Sequence, residues 1–145
     1  MTSPPRHSVS VAAAVINPEG RALVIRRRDN HHWQLPGGVL ELGETVHDGL
    51  RREVQEETGL TVRPVRLTGV YKNMNLGVVA LVFRAEPVAG IPQPTEEATE
   101  VDWWTPGQIR RHMDEAFAVR ILDAYAADQP PAVRSHDGVH LLDNP

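Results

Sequence analysis

The chain contains no cysteine, only 5% aromatic residues and no long apolar segment. The lack of cysteine excludes disulfide bonds, thiolate zinc sites and cysteine nucleophiles, and it is typical of proteins from a reducing compartment. The apolar run at residues 78–83 is far shorter than the ~20 residues that a membrane-spanning helix needs. Residues 1–6 lack the apolar core of a secretory signal. We therefore expect a soluble, cytoplasmic protein with no membrane partner.

The charge balance limits the partners further. Fifteen basic and 19 acidic residues give a formal net charge of −4 at pH 7. This balance argues against binding of a nucleic-acid polymer, which needs many phosphate contacts from lysine and arginine, but it permits a small nucleotide held by a few arginines. With 145 residues, of which 41% are hydrophobic, the chain predicts one globular domain at residues 1–145. We place its core at about residues 8–127 and a C-terminal tail at 128–145.

Hydrophobic periodicity predicts a mixture of strands and helices. Segments rich in apolar and β-branched residues predict strands at 8–16, 22–28, 61–72, 77–85 and 100–104. The first two strands flank turn-forming residues at 17–20, which favour a hairpin. Strands interspersed with helices in one short domain predict an α/β fold, in which a mixed sheet is covered on both faces.

Capping and breaker residues define the helices. One helix is predicted at 45–58 and is ended by Gly59, and a second begins after Pro106 and runs with an interruption toward Ala127. In the tail, Asp137 and Gly138 favour a small hairpin.

Three glutamates of the first helix lie near its apolar face. At about 100° per residue, Val46, Leu50 and Val54 form the face that we expect to turn toward the sheet. Glu53 and Glu57 fall within about 20° of Val46, and Glu56 lies about 80° away on the flank. The carboxylates therefore continue the inward face. The opposite, solvated face is expected to carry His47, Asp48, Arg51, Gln55 and Thr58.

Clustered carboxylates predict a site for a hard divalent cation. Side chains at positions i, i+3 and i+4 are neighbours, so these three negative charges repel one another, and Arg52 can offset only one of them. Mg²⁺ binds a few carboxylates while it keeps waters and substrate phosphates. Zinc is disfavoured because the chain has no cysteine and this helix face has no histidine. Before the helix, Gly37 and Gly38 allow main-chain amides to approach an anion and are candidate substrate-binding residues.

Residues 38–60, GVLELGETVHDGLRREVQEETGL, match the Nudix box at every defined position. The chain therefore resembles the Nudix hydrolases, including their MutT-like members, and similar strands on both sides extend the likeness over about residues 8–125. The resemblance implies an α/β/α sandwich with a mixed β-sheet. It also implies hydrolysis of a nucleoside diphosphate linked to another moiety, with Mg²⁺ or Mn²⁺ as the required cofactor. The matching positions are Gly38, Glu44, Arg52, Glu53, Val54, Glu56, Glu57, Gly59 and Leu60.

The resemblance also assigns roles to individual residues. Glu53, Glu56 and Glu57 resemble the metal ligands of the family, and Glu53 is also a candidate for orienting or deprotonating the attacking water. Arg52 resembles the catalytic arginine that steadies these carboxylates. Glu44 either contacts the metal or holds Arg52.

A further catalytic acid is expected from the loop before the residues EVDWW. Aligned on Trp103 and Trp104, Glu97 fits the family position better than Glu96 or Glu100, and the alternative is that all three are solvated loop charges.

Several alternatives stay open at this level. The substrate is a nucleoside triphosphate, in normal or oxidised form, or else ADP-ribose or a nucleotide sugar, and Leu76 matches no substrate signature of the family. A protein that binds a nucleotide without cleaving it, as a sensor, is the alternative function. A homodimer is also open, because dimers are common in the family. Alternation along a strand places Arg26 and Arg28 on one face and Arg27 on the other. Either one of these faces reaches a substrate phosphate, or the arginines are a solvated strand end. Trp33 is either a structural anchor or a platform for a base.

Overall fold

The computed structural model describes residues 2–126 and 128–142. Its elements in chain order are β1 (Ser8–Val15), β2 (Ala22–Arg27), β3 (Trp33–Gln34), β4 (Gly37–Val39), α1 (Val46–Thr58), β5 (Thr61–Asn73), β6 (Val78–Ala89), β7 (Ala98–Trp104), α2 (Pro106–His112), α3 (Glu115–Ala124) and β8 (Ala132–His136). None of the helices in these described ranges is long and apolar enough to cross a lipid bilayer.

The strands form one large sheet and one small sheet. The five-stranded sheet has the order β4-β1-β6-β5-β8, and the three-stranded sheet has the order β3-β2-β7. The large sheet is mixed, because β1 runs parallel to β6 and β5 runs parallel to β8, whereas its other pairs are antiparallel. The small sheet is antiparallel throughout. The predicted single mixed sheet is therefore divided in two.

Helices cover the sheet on both faces, as an α/β/α sandwich requires. Along β1, Val11, Ala13 and Val15 belong to the same buried cluster as Leu50 and Val54 of α1. The alternate β1 residues pack in a second cluster with α2 and α3. Each fully buried leucine or valine contributes about 1.5–3 kcal/mol relative to an exposed one. This two-sided burial confirms the predicted fold class.

The prediction that β1 and β2 form a hairpin is wrong. The turn at residues 17–20 is present, with Gly20 N–H donating to the Asn17 carbonyl at 2.9 Å, but the strands that it joins enter different sheets. Only one bridge, between Ile16 and Ala22, connects them. The physical reason is that both edges of β1 are already paired, one with β4 and the other with β6.

The C-terminal tail belongs to the sheet. β8 pairs in parallel with β5 and forms an edge of the five-stranded sheet. The turn predicted at Asp137 and Gly138 is present, since the Asp137 N–H donates to the carbonyl of His140 at 3.2 Å. The boundary that we placed at residue 128 therefore does not separate the tail from the core sheet. The predicted end of the second helical region, Ala127, lies outside the described residues.

Candidate active site

Helix α1 positions two glutamates toward the interior. Thr45 Oγ1 accepts the Asp48 N–H at 3.2 Å, and Gly59 ends the helix with a φ of 76°. Between these caps, Glu53 and Glu57 are only 9% and 3% exposed. The side chain of Glu56 is 53% exposed, so it lies further from the inward face than we expected.

For Thr58, the helix face that we predicted is wrong. It is fully buried. Its hydroxyl donates to the Val54 carbonyl at 2.6 Å and accepts the Leu60 N–H at 3.1 Å. Because these local hydrogen bonds satisfy the hydroxyl, Thr58 can be buried at the end of the helix without an unpaired polar group.

Arg52 links the acidic residues of α1 to the preceding loop. Its Nε and Nη2 donate to the two carboxylate oxygens of Glu44 at 2.9 and 2.6 Å. Its Nη1 donates to Glu53 at 2.9 Å and to Glu56 at 3.2 Å. The Arg52 guanidinium lowers the pKa of Glu44 to about 2. Glu44 therefore holds Arg52, which in turn orients the Glu53 carboxylate.

The carboxylate of Glu57 is buried against β4. Its Oε1 accepts the Gly37 N–H at 2.6 Å. Burial nevertheless raises the pKa of Glu57 to about 7, and the negative charges of Glu53 and Glu97 act in the same direction. Burial also raises the pKa of Glu53, although the Arg52 guanidinium opposes this shift. The site is thus short of positive charge.

We predict that this buried charge makes the stability of the metal-free protein depend on pH. In the window between the ordinary glutamate pKa of 4.5 and the folded-state value of about 7, the folded protein binds more protons at Glu57 than the unfolded chain does. The free energy of unfolding should therefore fall as pH rises through this window. Melting temperatures in EDTA should show this slope, and Glu57→Gln should reduce it while Glu100→Gln should not. Equal slopes in all three proteins would contradict the prediction.

Gly37 and Gly38 are packed more closely than we expected. They lie in strand β4, paired with β1, and not in a loop. The Gly37 amide, which we expected to meet a substrate anion, is used by Glu57. A methyl group on Gly37 would overlap the β1 backbone, and one on Gly38 would overlap the Glu53 carboxylate. Both residues line the cavity onto which Glu53 and Glu57 open, but their glycine identity is explained by close packing.

Glu53 and Glu57 open onto a cavity of about 530 Å³. Helix α1 and strand β4 form one wall, and the end of β2 and the loop before β7 form the other. The lining residues are Arg27, Arg28, Asp29, Gly37, Gly38, Val39, Glu53, Glu57, Glu96 and Glu97. The cavity therefore brings together four glutamates from two chain segments distant in sequence, and Arg27, Arg28 and Asp29 from a third.

The arginines at the end of β2 do not follow the predicted alternation. A register shift between Arg26 and Arg27 in the pairing with β7 breaks it, so that Arg27 and Arg28 both line the cavity. Arg26 instead forms an ion pair with Glu100 at 3.2 Å. Sequence analysis assigned no role to Arg27 individually. The only indication of its role in the sequence is the run of three arginines at the end of a predicted strand.

The loop before β7 presents Glu96 and Glu97 to the cavity. The strand begins at Ala98, earlier than predicted, so Glu97 directly precedes it and Glu100 lies within it. Arg28 fixes this loop, because its main-chain N–H donates to the Glu97 carbonyl at 3.0 Å and its Nε donates to the Glu96 carbonyl. The main chain at Glu97 is held while its side chain is exposed.

The aromatic residues serve as structural anchors. The rings of Trp33 and Trp104 pack with centroids 4.6 Å apart. Tyr71 is fully buried and donates its hydroxyl to Asp123 at 2.6 Å.

The described residues form no ready-made metal cage. In the ranges 2–126 and 128–142, no group of three histidine or acidic side chains is arranged to hold an ion. Glu53 and Glu56 are turned to Arg52, and Glu57 is turned to Gly37. The three-glutamate site thus stays a prediction. The donor set itself fits a hard divalent cation, because buried carboxylate oxygens share one cavity with too little positive charge.

A family model described as the NUDIX domain matches residues 6–125 of the chain. The chain belongs to the Nudix family. A MutT-like protein of Streptomyces ambofaciens is 55% identical over 141 residues, which cover 97% of this chain and 91% of the relative. The ADP-ribose pyrophosphatase of Methanocaldococcus jannaschii is 30% identical over 68% of this chain and 62% of its own length. The 8-oxo-dGDP phosphatase NUDT18 of Mus musculus is 28% identical over 92% of this chain but only 37% of its own length.

A solved Nudix fold agrees with this assignment. The crystal structure of a NUDIX hydrolase from Nitrosomonas europaea superposes with a TM-score of 0.77 at 21% identity, and covers 92% of this chain and 82% of that one. The family model and the 55% identical relative together identify this chain as a MutT-like member of the Nudix family. The match at residues 6–125 includes α1 and the whole loop that bears Glu97.

Proposed function

We propose that this Nudix enzyme hydrolyses the pyrophosphate bond of a nucleotide, with Mg²⁺ as its cofactor and Mn²⁺ as a substitute. The observation that carries the proposal is the common cavity of Glu53, Glu57 and Glu97, two of them buried carboxylates. Glu53 and Glu57, with Glu56 as the third member implied by the family resemblance, would hold the cation. When bound, such an ion neutralises phosphate charge and makes a bound water more acidic.

The surrounding residues fit the remaining requirements of the reaction. Arg27 lines the same cavity, where its Nε and Nη2 donate to the Asp29 carboxylate at 2.8 and 2.7 Å, and we assign its Nη1 to a substrate phosphate. Arg52 orients the carboxylate of Glu53 through a 2.9 Å hydrogen bond. Glu53 or Glu97 accepts the proton of the attacking water. The attacking oxygen thus comes from water and the phosphorus from the substrate, so no protein nucleophile is needed.

The substrate that we favour is a nucleoside triphosphate, in normal or oxidised form. The NUDT18 relative, named an 8-oxo-dGDP phosphatase, supports an oxidised nucleotide, in its case a diphosphate, and the archaeal relative supports ADP-ribose as the second candidate. A silent sensor is disfavoured because all four glutamates of the box, Glu44, Glu53, Glu56 and Glu57, are present.

Product analysis would decide among these functions. Nucleoside triphosphates, their oxidised forms, nucleoside diphosphates, ADP-ribose and nucleotide sugars would be incubated with the protein in Mg²⁺, Mn²⁺ or EDTA. We expect metal-dependent release of pyrophosphate or phosphate from the triphosphates. Cleavage of ADP-ribose alone, to AMP and ribose 5-phosphate, would select the second candidate, and binding without any cleavage would establish a sensor.

We also predict that a divalent cation stabilises the folded protein. The cation would relieve the repulsion among the buried carboxylates and bind the folded form only, which stabilises it by mass action. Mg²⁺ should therefore raise the melting temperature of the wild type. It should not raise that of a triple variant with Gln at Glu53, Glu56 and Glu57. An equal shift in both proteins would place the cation elsewhere.

A further inference from the structure

A second cavity, of about 260 Å³, adjoins the catalytic cavity. The two share Arg27, Gly37 and Gly38 in their walls, so one ligand can occupy both. Apolar side chains dominate the lining of this second cavity, including Leu35 and Phe117. A nucleotide whose phosphates lie beside the glutamates of α1 would therefore place its base against these apolar walls.

Arg120 is the charged residue at the α3 side of this second cavity. Its Cζ lies 4.9 Å from the ring centroid of Phe117 and 5.5 Å from that of Tyr71, so the guanidinium is packed between two aromatic rings. Its Nε is buried and has no hydrogen-bond partner in the described residues. The nearest acid in sequence, Asp123, is already bound to Tyr71 and Arg134.

His136 satisfies the guanidinium only in part. Its Nε2 lies 3.1 Å from Arg120 Nη2, and its Nδ1 lies 3.0 Å from the Gly138 N–H. Burial and the charge of Arg120 lower the pKa of His136, which favours the neutral ring. A neutral imidazole has one acceptor nitrogen, so His136 cannot accept a hydrogen bond from both neighbours at once. Arg120 is thus a half-buried cation with donors left to offer.

We propose that Arg120 is a specificity-determining residue that donates a hydrogen bond to a carbonyl oxygen of the substrate's nucleobase. The inference rests on the proposed function. A guanidinium has five donors and no acceptor, so it can bind a carbonyl oxygen but cannot bind an exocyclic amino group in the same place. Guanine carries the acceptors O6 and N7, whereas adenine carries an amino donor at the position of O6. The enzyme should therefore prefer guanine to adenine nucleotides.

Calorimetric titration with GMP and AMP tests this preference without turnover. We expect wild-type protein to bind GMP at least ~10-fold more tightly than AMP, because a correct base contact discriminates by about that factor or more. Arg120→Met should bring the ratio close to one by weakening GMP binding alone. Arg110→Met, an exposed arginine on the neighbouring helix, is the matched control and should keep the wild-type ratio. A ratio near one in the wild type, or an unchanged ratio in Arg120→Met, would overturn the proposal.

A second variant keeps the proposal testable if Arg120→Met does not fold. A second assay tests the proposed hydrolysis independently of the role of Arg120. If Arg120→Met does not fold, Arg120→Lys keeps the charge but replaces the forked donors with one ammonium, and the GMP preference should fall at least ~3-fold. An unchanged preference there would also overturn the proposal. Phosphate release from GTP and ATP is measured separately. Loss of all turnover with a retained GMP preference would refute the proposed hydrolysis and not the role of Arg120.

Discussion

Glu57→Gln is expected to reduce turnover at least ~100-fold at saturating Mg²⁺, as is typical when a group that orients a metal is lost. The amide keeps the volume of the side chain, and its oxygen can still accept the Gly37 N–H that Glu57 accepts at 2.6 Å. The change therefore removes the charge and leaves the packing of α1 on β4 in place. Because Glu57 is only 3% exposed, an exposed carboxylate nearby cannot replace it as a ligand at this buried position.

The control for this prediction is Glu100→Gln. Glu100 is a glutamate of similar chemistry whose partner, Arg26, lies outside the cavity lining. Steady-state rates of both variants, together with far-UV circular dichroism and melting temperatures, separate catalysis from folding. We expect Glu57→Gln to melt at or above the wild-type temperature in EDTA at neutral pH, since a buried repulsive charge has been removed. Near wild-type activity in Glu57→Gln would show that the metal site lies elsewhere.

The parts of the site that lie within one helix could be predicted from the sequence. The positions of Glu53 and Glu57 follow from the helical period and from the caps at Thr45 and Gly59, all of which act within a few residues. The two-sided burial of β1 also follows from an unbroken apolar segment, which requires cover on both faces.

The parts that depend on pairing between distant segments could not be predicted. The register shift that turns both Arg27 and Arg28 toward the cavity arises from pairing with β7, some 70 residues later in the chain. The use of the Gly37 amide by Glu57 depends on how closely β4 approaches α1. Likewise, β8 joins the sheet only because β5 leaves an open edge, which no local pattern in residues 132–136 reveals.

Glu97→Gln is expected to lower kcat at least ~100-fold with little change in KM, because general-base catalysis contributes that much and acts in the transition state. The structure supports Glu97 through its position. It lines the cavity, directly precedes β7, and has a main chain fixed by the 3.0 Å hydrogen bond from Arg28 to its carbonyl. An exposed side chain on a fixed main chain can reach a water near the buried carboxylates without a rearrangement of the sheet. The pH dependence of kcat should change as well, since the variant lacks the group that takes the proton from water.

Two neighbouring glutamates provide the controls for Glu97. Glu96→Gln alters a residue of the same loop that also lines the cavity, and Glu100→Gln alters one that is paired with Arg26 in β7. If Glu97 is the base, its variant should be far slower than both, and its loss should appear in kcat. If Glu97→Gln instead behaves like Glu100→Gln, the proton must pass to Glu53. That carboxylate is held 2.9 Å from Arg52, and burial raises its pKa, which favours its acceptance of a proton. In that case Arg52→Lys, which loses the fork that holds Glu44 and Glu53 together, should reproduce the kcat defect.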